Sequence, residues 1–332
     1  MAEEKFSDIG RIEAIARLYE QSPYKPFIAR GFETTGKGIV RTENRLFLEG
    51  IDFNLVYFPL KHLGYKSVIA VTGELYASLA HPRLLSVRLG LSAKLDFTQV
   101  RDLWTGIVAA AREQGYKDVD LDLVPSRNGL AIGICATGET AATTQKRLPE
   151  AKSKDLLCLS GNVGGAFFGM KVLEREMKSF DADGTQPALE KYRMMVGSYL
   201  KPELSPALVG QLEESGLLPS CGVLVTRGLA DAVKRIARTC GLGAKVYADK
   251  IPFEGNSFEL GKELDIDPIS AAMNGGEDYR LLFVLPILKM EEFRRDFQTF
   301  DIIGHLAQPE AGTVLVAPDG LEYPLKAQGW ND

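Results

Sequence analysis

The chain has 332 residues, enough for two domains with separate cores, and its 45% hydrophobic and 25% charged content is that of a soluble globular protein. No apolar run approaches the roughly 20 residues needed to span a bilayer, and the acidic, polar stretch MAEEKFSDIG is expected to be neither a signal nor a transit sequence. A net charge of −5 argues against a general nucleic-acid binder, which needs a basic face; the expectation is a cytoplasmic protein with neither nucleic-acid nor membrane partners.

In chain order, Ile12, Ile15, Leu18 and Tyr19 have helical spacing, and RGFETTGKG at 30–38 reads as a loop. Residues 52–58 (DFNLVYF) are predicted as a strand, followed by a helix that runs to Pro82. LLSVRLGLS at 84–92 alternates like a half-buried strand, and left unpaired it is expected to leave an exposed edge. Asp96 with Gln99 three residues on has capping-box spacing and starts a helix to about Gly115. Strands at 119–124 and 130–139 complete a β-α-β-α-β-β reading of the first half. A polar connector, ETAATTQKRLPEAKSKD, sets a domain boundary near residue 150. Beyond it, an apolar strand enters the Gly-rich turn SGNVGG and a helix over 165–179. Further helices are predicted near 187–200, 205–215 and 229–240, with strands near 221–226, 244–248, 280–285 and 301–306.

Cys135, Cys158, Cys221 and Cys240 are widely spaced and form no C-x-x-C pair. Cys135 and Cys158 read as small hydrophobes in apolar segments. The three histidines are too scattered for a zinc site.

Residues 49–67 (EGIDFNLVYFPLKHLGYKS), 160–180 (SGNVGGAFFGMKVLEREMKSF), 274–283 (NGGEDYRLLF) and 325–331 (LKAQGWN) resemble the thiamine-monophosphate kinases. These belong to the larger aminoimidazole-ribonucleotide-synthase superfamily. The resemblance implies a fold of mixed α+β and α/β character in two synthase-related domains, 1–150 and 151–332. It implies an N-terminal domain that dimerises through its sheet and contributes an ATP and metal cleft. It further implies Mg²⁺ and ATP as cofactors, and phosphorylation of thiamine monophosphate to thiamine diphosphate.

The positions that should carry that chemistry are altered. Phosphoryl transfer requires charge neutralisation over several phosphate oxygens, and Mg²⁺ held by carboxylates supplies it. By resemblance the ligands come from five Asp-bearing motifs, each located here by counting from a matched neighbour. The Gly-Asp-Asp has no counterpart; its segment offers only Glu33. Ser-Thr-Asp becomes Glu43-Asn44-Arg45, and Ser-Asp becomes Gly73-Glu74. Gly-Gly-Asp-Thr-Thr becomes Asp120-Leu121-Asp122-Leu123-Val124, and Asp-x-Ser-Asp-Gly becomes Leu224-Val225-Thr226-Arg227-Gly228. Glu74 and Asp122 are thus the residual metal candidates, while Arg45, Arg227 and Leu224 are degenerate positions.

Two unit charges about 4 Å apart interact by ~4 kcal/mol at an effective dielectric of 20. Exchanging attraction for repulsion at two ligand positions therefore weakens a metal site by several kcal/mol. The expectation is that Arg45 or Arg227 pairs with Glu74 or Asp122 where the ion would sit. The reading from these residues is a kinase-like protein of lost or strongly reduced activity that keeps a small phosphorylated ligand such as thiamine monophosphate. The alternative is an active kinase with a rearranged Mg²⁺ site built from Glu33, Glu43, Glu74 and Asp122.

The remaining motifs are open to two readings each. SGNVGG, with Gly161 and Gly164, is either a phosphate-binding strand-to-helix turn or a structural one. Asn274, Gly275, Gly276, Glu277 and Asp278 either face the substrate and nucleotide cleft, as the resemblance implies, or form a solvated acidic turn. Trp330 either walls the ligand pocket or packs the tail onto the second domain. A hydrogenase-maturation role would need a C-terminal cysteine, and none follows Cys240. A purine-synthesis ligase would share the need for Mg²⁺-ATP and lacks the kinase-like C-terminal match.

Overall fold

The computed structural model describes residues 11–20, 22–24 and 38–330. The chain divides into two compact units, 1–145 and 146–332. In the first, strands β1 (Ile39–Leu48), β2 (His81–Ser92), β3 (Asp118–Ser126) and β4 (Ala131–Thr140) form one sheet in the order β1-β4-β2-β3. β2 runs parallel to β3, and the β1–β4 and β2–β4 pairs are antiparallel. The register joins Phe47, Ile132, Leu89 and Leu123 into one row and Arg45, Ile134, Val87 and Leu121 into the next, all on one face. Except for Arg45, these side chains are almost fully buried.

That face is covered by helices. α1 spans Arg11–Glu20, α2 Leu60–Ala77 and α3 Phe97–Glu113. α2 is apolar nearly all round and correspondingly buried, which is the pattern of a core helix. α2 and α3 cross at glycines: a Cβ on Gly64 would lie 2.1 Å from the Leu103 carbonyl oxygen, and one on Gly106 would lie 1.9 Å from that of Lys61. α3 opens with the predicted capping box, Asp96 accepting from Gln99 N at 2.7 Å and Asp96 N donating to the Gln99 side chain at 3.0 Å. Buried hydroxyls tie the layer together: Thr72 to Tyr116 at 2.9 Å, Tyr76 to Gln114 at 2.9 Å, and Tyr19 to the Val119 carbonyl at 2.6 Å.

Two sequence readings are corrected here. Residues 52–58 are a series of turns, and the strand lies earlier, at β1. Arg41, Glu43 and Arg45 on the β1 helix-facing side break the apolar alternation that marks a strand. The segment 84–92, expected to leave an exposed edge, lies inside β2 and is hydrogen-bonded on both sides, so the sheet edges are β1 and β3.

After a short helix, α4 (Ala142–Arg147), the second unit builds a seven-stranded sheet in the order β11-β10-β7-β9-β5-β8-β6. Its strands are β5 (Leu156–Ser160), β6 (Cys221–Leu224), β7 (Gly243–Tyr247), β8 (Leu281–Leu285), β9 (Phe300–Ala307), β10 (Thr313–Val316) and β11 (Glu322–Pro324). Between them lie α5 (Gly165–Asp183), α6 (Arg193–Leu200), α7 (Leu208–Ser215), α8 (Leu229–Cys240), α9 (Ser257–Leu264), α10 (Pro268–Asn274) and α11 (Met290–Asp296). β5 and β8 are apolar on both faces and buried on both, as central strands should be. The core joins Leu157, Leu159, Leu282 and Val284 to Val233 and Ile236 of α8. Among the described residues no helix is long and apolar enough to cross a membrane.

Candidate functional site

The predicted Gly-rich turn and acidic turn meet in the second unit. β5 ends at Ser160, whose hydroxyl accepts from Leu281 N at 2.7 Å. The chain then reverses through Gly161 (φ 75°) and Gly164 (φ 84°), and Gly164 is the N-cap of α5. The amides of this helix start are already answered from within the protein. Asp278 accepts from Gly164 N at 3.0 Å and from Ala166 N at 3.2 Å, and its side chain is buried. Burial pushes the Asp278 carboxyl up to about 7, against the opposing pull of the two amides and of Arg280. The phosphate reading of SGNVGG thus meets a carboxylate in the place an anion would take.

Asp278 reaches inward because the turn carrying it is held in an unusual shape. Gly276 has φ 88°, and Glu277 (φ 40°) and Tyr279 (φ 49°) also lie in the left-handed region. Such conformations cost on the order of 1–2 kcal/mol each for residues with a Cβ. They are fixed by Glu277 N to the Thr226 carbonyl at 3.2 Å, Tyr279 N to the Val225 carbonyl at 2.9 Å, and Val225 N to the Arg280 carbonyl at 2.8 Å. The turn 225–228 and the turn 274–280 are therefore one knit unit. Gly228 is required there, since a Cβ would lie 2.3 Å from the Met273 carbonyl oxygen.

Two further side chains complete the group. Arg280 donates from Nε to the Asn162 carbonyl at 3.0 Å and lies 3.7 Å from the carboxylate of Glu254, which is itself buried. Arg280 directly follows the matched Gly-Glu-Asp-Tyr run, a signal that sequence reading passed over; Glu254 has no comparable signal. Asn274 ends α10 and is exposed, and Gly275 packs against Phe167 and the Ala271 carbonyl.

Trp330 packs on α8. Its indole N–H donates to Asp231 at 2.9 Å, and Lys234 Nζ and the Arg238 guanidinium lie 5.5 and 5.7 Å from the ring centroid. Of the two readings of Trp330, these contacts are those of a tail anchored to the second unit.

In the first unit the remaining charge positions separate. Asp122 lies in the row of Leu46, Gly133 and Arg88, on the sheet face opposite that of Arg45. Asp122 accepts from Leu123 N at 2.9 Å, while neighbouring Asp120 pairs with Arg88 at 2.7 Å. Arg45 lies over the Phe47 ring at 5.1 Å, on the helix-facing side. Glu74 is half-buried on α2, which packs on that same side, where Leu75 touches Gly138. The expected Arg45–Asp122 pair is thus not formed, because strand parity puts the two side chains on opposite faces. The same parity separates Asp122 from Glu43 and Glu74 in the alternative Mg²⁺ set; Glu33 lies outside the described residues.

A Mg²⁺ site does not fit the residues in the second unit either. Leu224 is apolar and fully buried, Thr226 is buried, and Arg227 is exposed at the turn before α8. Among the described residues no three His, Cys, Asp or Glu side chains converge as a metal site requires.

No family model matches the chain. A curated relative, the thiamine-monophosphate kinase of Methanopyrus kandleri, is 25% identical over 236 residues, 70% of this chain and 70% of its own length. The solved thiamine monophosphate kinase of Aquifex aeolicus superposes with a TM-score of 0.70 at 20% identity, covering 86% of this chain and 89% of that one. The E. coli hydrogenase maturation protein HypE superposes with a TM-score of 0.73 at 15% identity, covering 96% and 97%. These structural likenesses carry the fold, and the curated relatives add the sequence relation. The chain is similar in sequence to curated thiamine-monophosphate kinases and has the aminoimidazole-ribonucleotide-synthase-like fold.

Proposed function

We propose that this chain is a diverged thiamine-monophosphate kinase homologue whose kinase activity is lost or strongly reduced. In this reading it is a cytoplasmic homodimer that acts as a binding or regulatory protein for a small phosphorylated ligand such as thiamine monophosphate. The observation that carries the reading is the turn before α8. There an exposed arginine, Arg227, and a buried leucine, Leu224, occupy the positions where the family resemblance calls for aspartates. A guanidinium repels a divalent cation and attracts phosphate oxygens, so the turn favours an anion without its metal.

The dimer reading is supported by the exposed sheet face of the first unit. Val40 and Leu46 of β1 and Val124 of β3 are 45, 56 and 46% exposed, on strands at the two sheet edges.

The test is thiamine diphosphate formation from thiamine monophosphate and Mg²⁺-ATP, run beside an active family member, with calorimetry for Mg²⁺-ATP binding. The expected rate is undetectable or orders of magnitude lower. Robust Mg²⁺-dependent turnover abolished by Asp122→Ala would overturn the reading in favour of an active enzyme.

A further inference from the structure

Two thiols that are distant in sequence meet in the second unit. Cys221 begins β6 and Cys240 ends α8, and their Sγ atoms are 3.3 Å apart. Both are half-buried and free, and both pack against the core rather than deep within it. β6 is the edge strand of its sheet, so this corner borders solvent. Cys158 is fully buried on β5, and Cys135 belongs to the other unit.

We propose that Cys221 and Cys240 are a reversible modification site, a vicinal dithiol that a small hydroperoxide converts to an intramolecular disulfide. The two sulfurs are already in contact, and the pair is on two elements packed together. Cys240 is the attacking sulfur. The hydrogen bond from the Cys221 thiol favours its thiolate and lowers its pKa, while the donor Cys221 is raised. The nearby Asp155 carboxylate and the negative end of α8 oppose this, so the reaction is slow compared with that of a dedicated peroxidatic thiolate.

The Cys240 thiolate attacks one peroxide oxygen, the O–O bond breaks, and hydroxide leaves, giving a sulfenic acid. Cys221, on losing its proton, attacks that sulfur; the S–O bond breaks, the S–S bond forms, and the second hydroxide leaves as water. Two thiols and one hydrogen peroxide give one disulfide and two waters. A thiol reductant reverses the reaction by exchange.

The bond would close the segment 221–240, which contains the turn at Leu224–Gly228 and all of α8. Cross-linking its ends restricts the unfolded chain and pins the turn that carries Arg227.

The experiment exposes the purified full-length chain to hydrogen peroxide and counts thiols after denaturation. The four thiols are expected to fall by two, with a single disulfide-linked peptide pair containing residues 221 and 240. Cys221→Ser should stop the reaction at a Cys240 sulfenic acid that dimedone labels, and Cys135→Ser should change nothing. The oxidised protein should unfold several degrees higher, and dithiothreitol should return it to the starting midpoint. Retention of all four thiols under conditions that consume free glutathione in the same tube would overturn the proposal. So would mapping of the lost thiols to Cys135 in intermolecular links.

Discussion

Replacing Asp278 by alanine tests whether an internal carboxylate substitutes for a bound anion at the start of α5. The variant orphans two buried amides, Gly164 N and Ala166 N, now 3.0 and 3.2 Å from the carboxylate. An unsatisfied buried donor costs about 1–3 kcal/mol, so the loss is roughly 2–6 kcal/mol. Against this stands the penalty of burying the charge. The carboxyl rises from 3.8 to about 7 on folding, and at about 1.4 kcal/mol per pH unit that is on the order of 4 kcal/mol above pH 7. The folded state therefore holds a proton that the unfolded state has released. The associated stability is fully present below pH 3.8 and is lost as pH rises through about 7. The alanine variant has no such slope. Urea unfolding of both proteins at pH 5, 6, 7 and 8 should show the variant several kcal/mol less stable at the acid end. At pH 8 the difference should shrink to within about 2 kcal/mol of zero. A difference that is independent of pH, or that widens as pH rises, would refute the assignment of Asp278 as a buried, proton-holding cap.

Gly64→Ala should destabilise the first unit by several kcal/mol, because its Cβ would meet the Leu103 carbonyl oxygen at 2.1 Å, whereas Gly197→Ala on α6 meets nothing within 4 Å and should stabilise by about 0.5–1 kcal/mol; thermal melts of the two separate them. Asp231→Asn keeps an acceptor for the Trp330 indole and removes a buried charge whose second oxygen has no hydrogen-bond partner. It should stay within ~1 kcal/mol of the parent, while Trp330→Ala should cost ~2–3 kcal/mol, both read by denaturant titration. Restoring aspartate at both Arg45 and Arg227 should leave thiamine diphosphate formation undetected in a radiolabel assay, since the Gly-Asp-Asp counterpart is still missing; measurable turnover by the double variant would mean those two residues alone had silenced the enzyme.

Local signals in the sequence located much of the fold. The Asp96–Gln99 spacing gave the start of α3, and Gly228 and Gly241 bracket α8 as they bracket its apolar stripe. The helices α9 and α10 went unread because each is short and sits beside Gly and Pro residues that look like loop. β1 was missed for a different reason: Arg41, Glu43 and Arg45 occupy its half-buried face, and the sheet packing that tolerates them is tertiary. At the site, the motifs identified which turns matter. The direction of a side chain within a turn depends on backbone shape, so the inward reach of Asp278 followed only from the φ angles of residues 276–279. Face assignment for Arg45 and Asp122 needed strand register, which single-chain periodicity does not supply across a pair of strands. The meeting of Cys221 with Cys240 likewise depends on how α8 returns along β6.

Because Asp278 is covalently attached to the turn that faces α5, it acts as a tethered competitor for any phosphate at that helix start. Its local concentration is fixed by a few residues of chain and does not fall on dilution. A phosphate-bearing ligand gains the two amides only in the fraction of molecules whose 274–280 turn has swung away, and its apparent affinity is reduced by that fraction. Ligand capture and release of the turn from its contacts with Thr226 and Val225 are then a single event, so occupancy at α5 would be transmitted directly to the segment that bears Arg227.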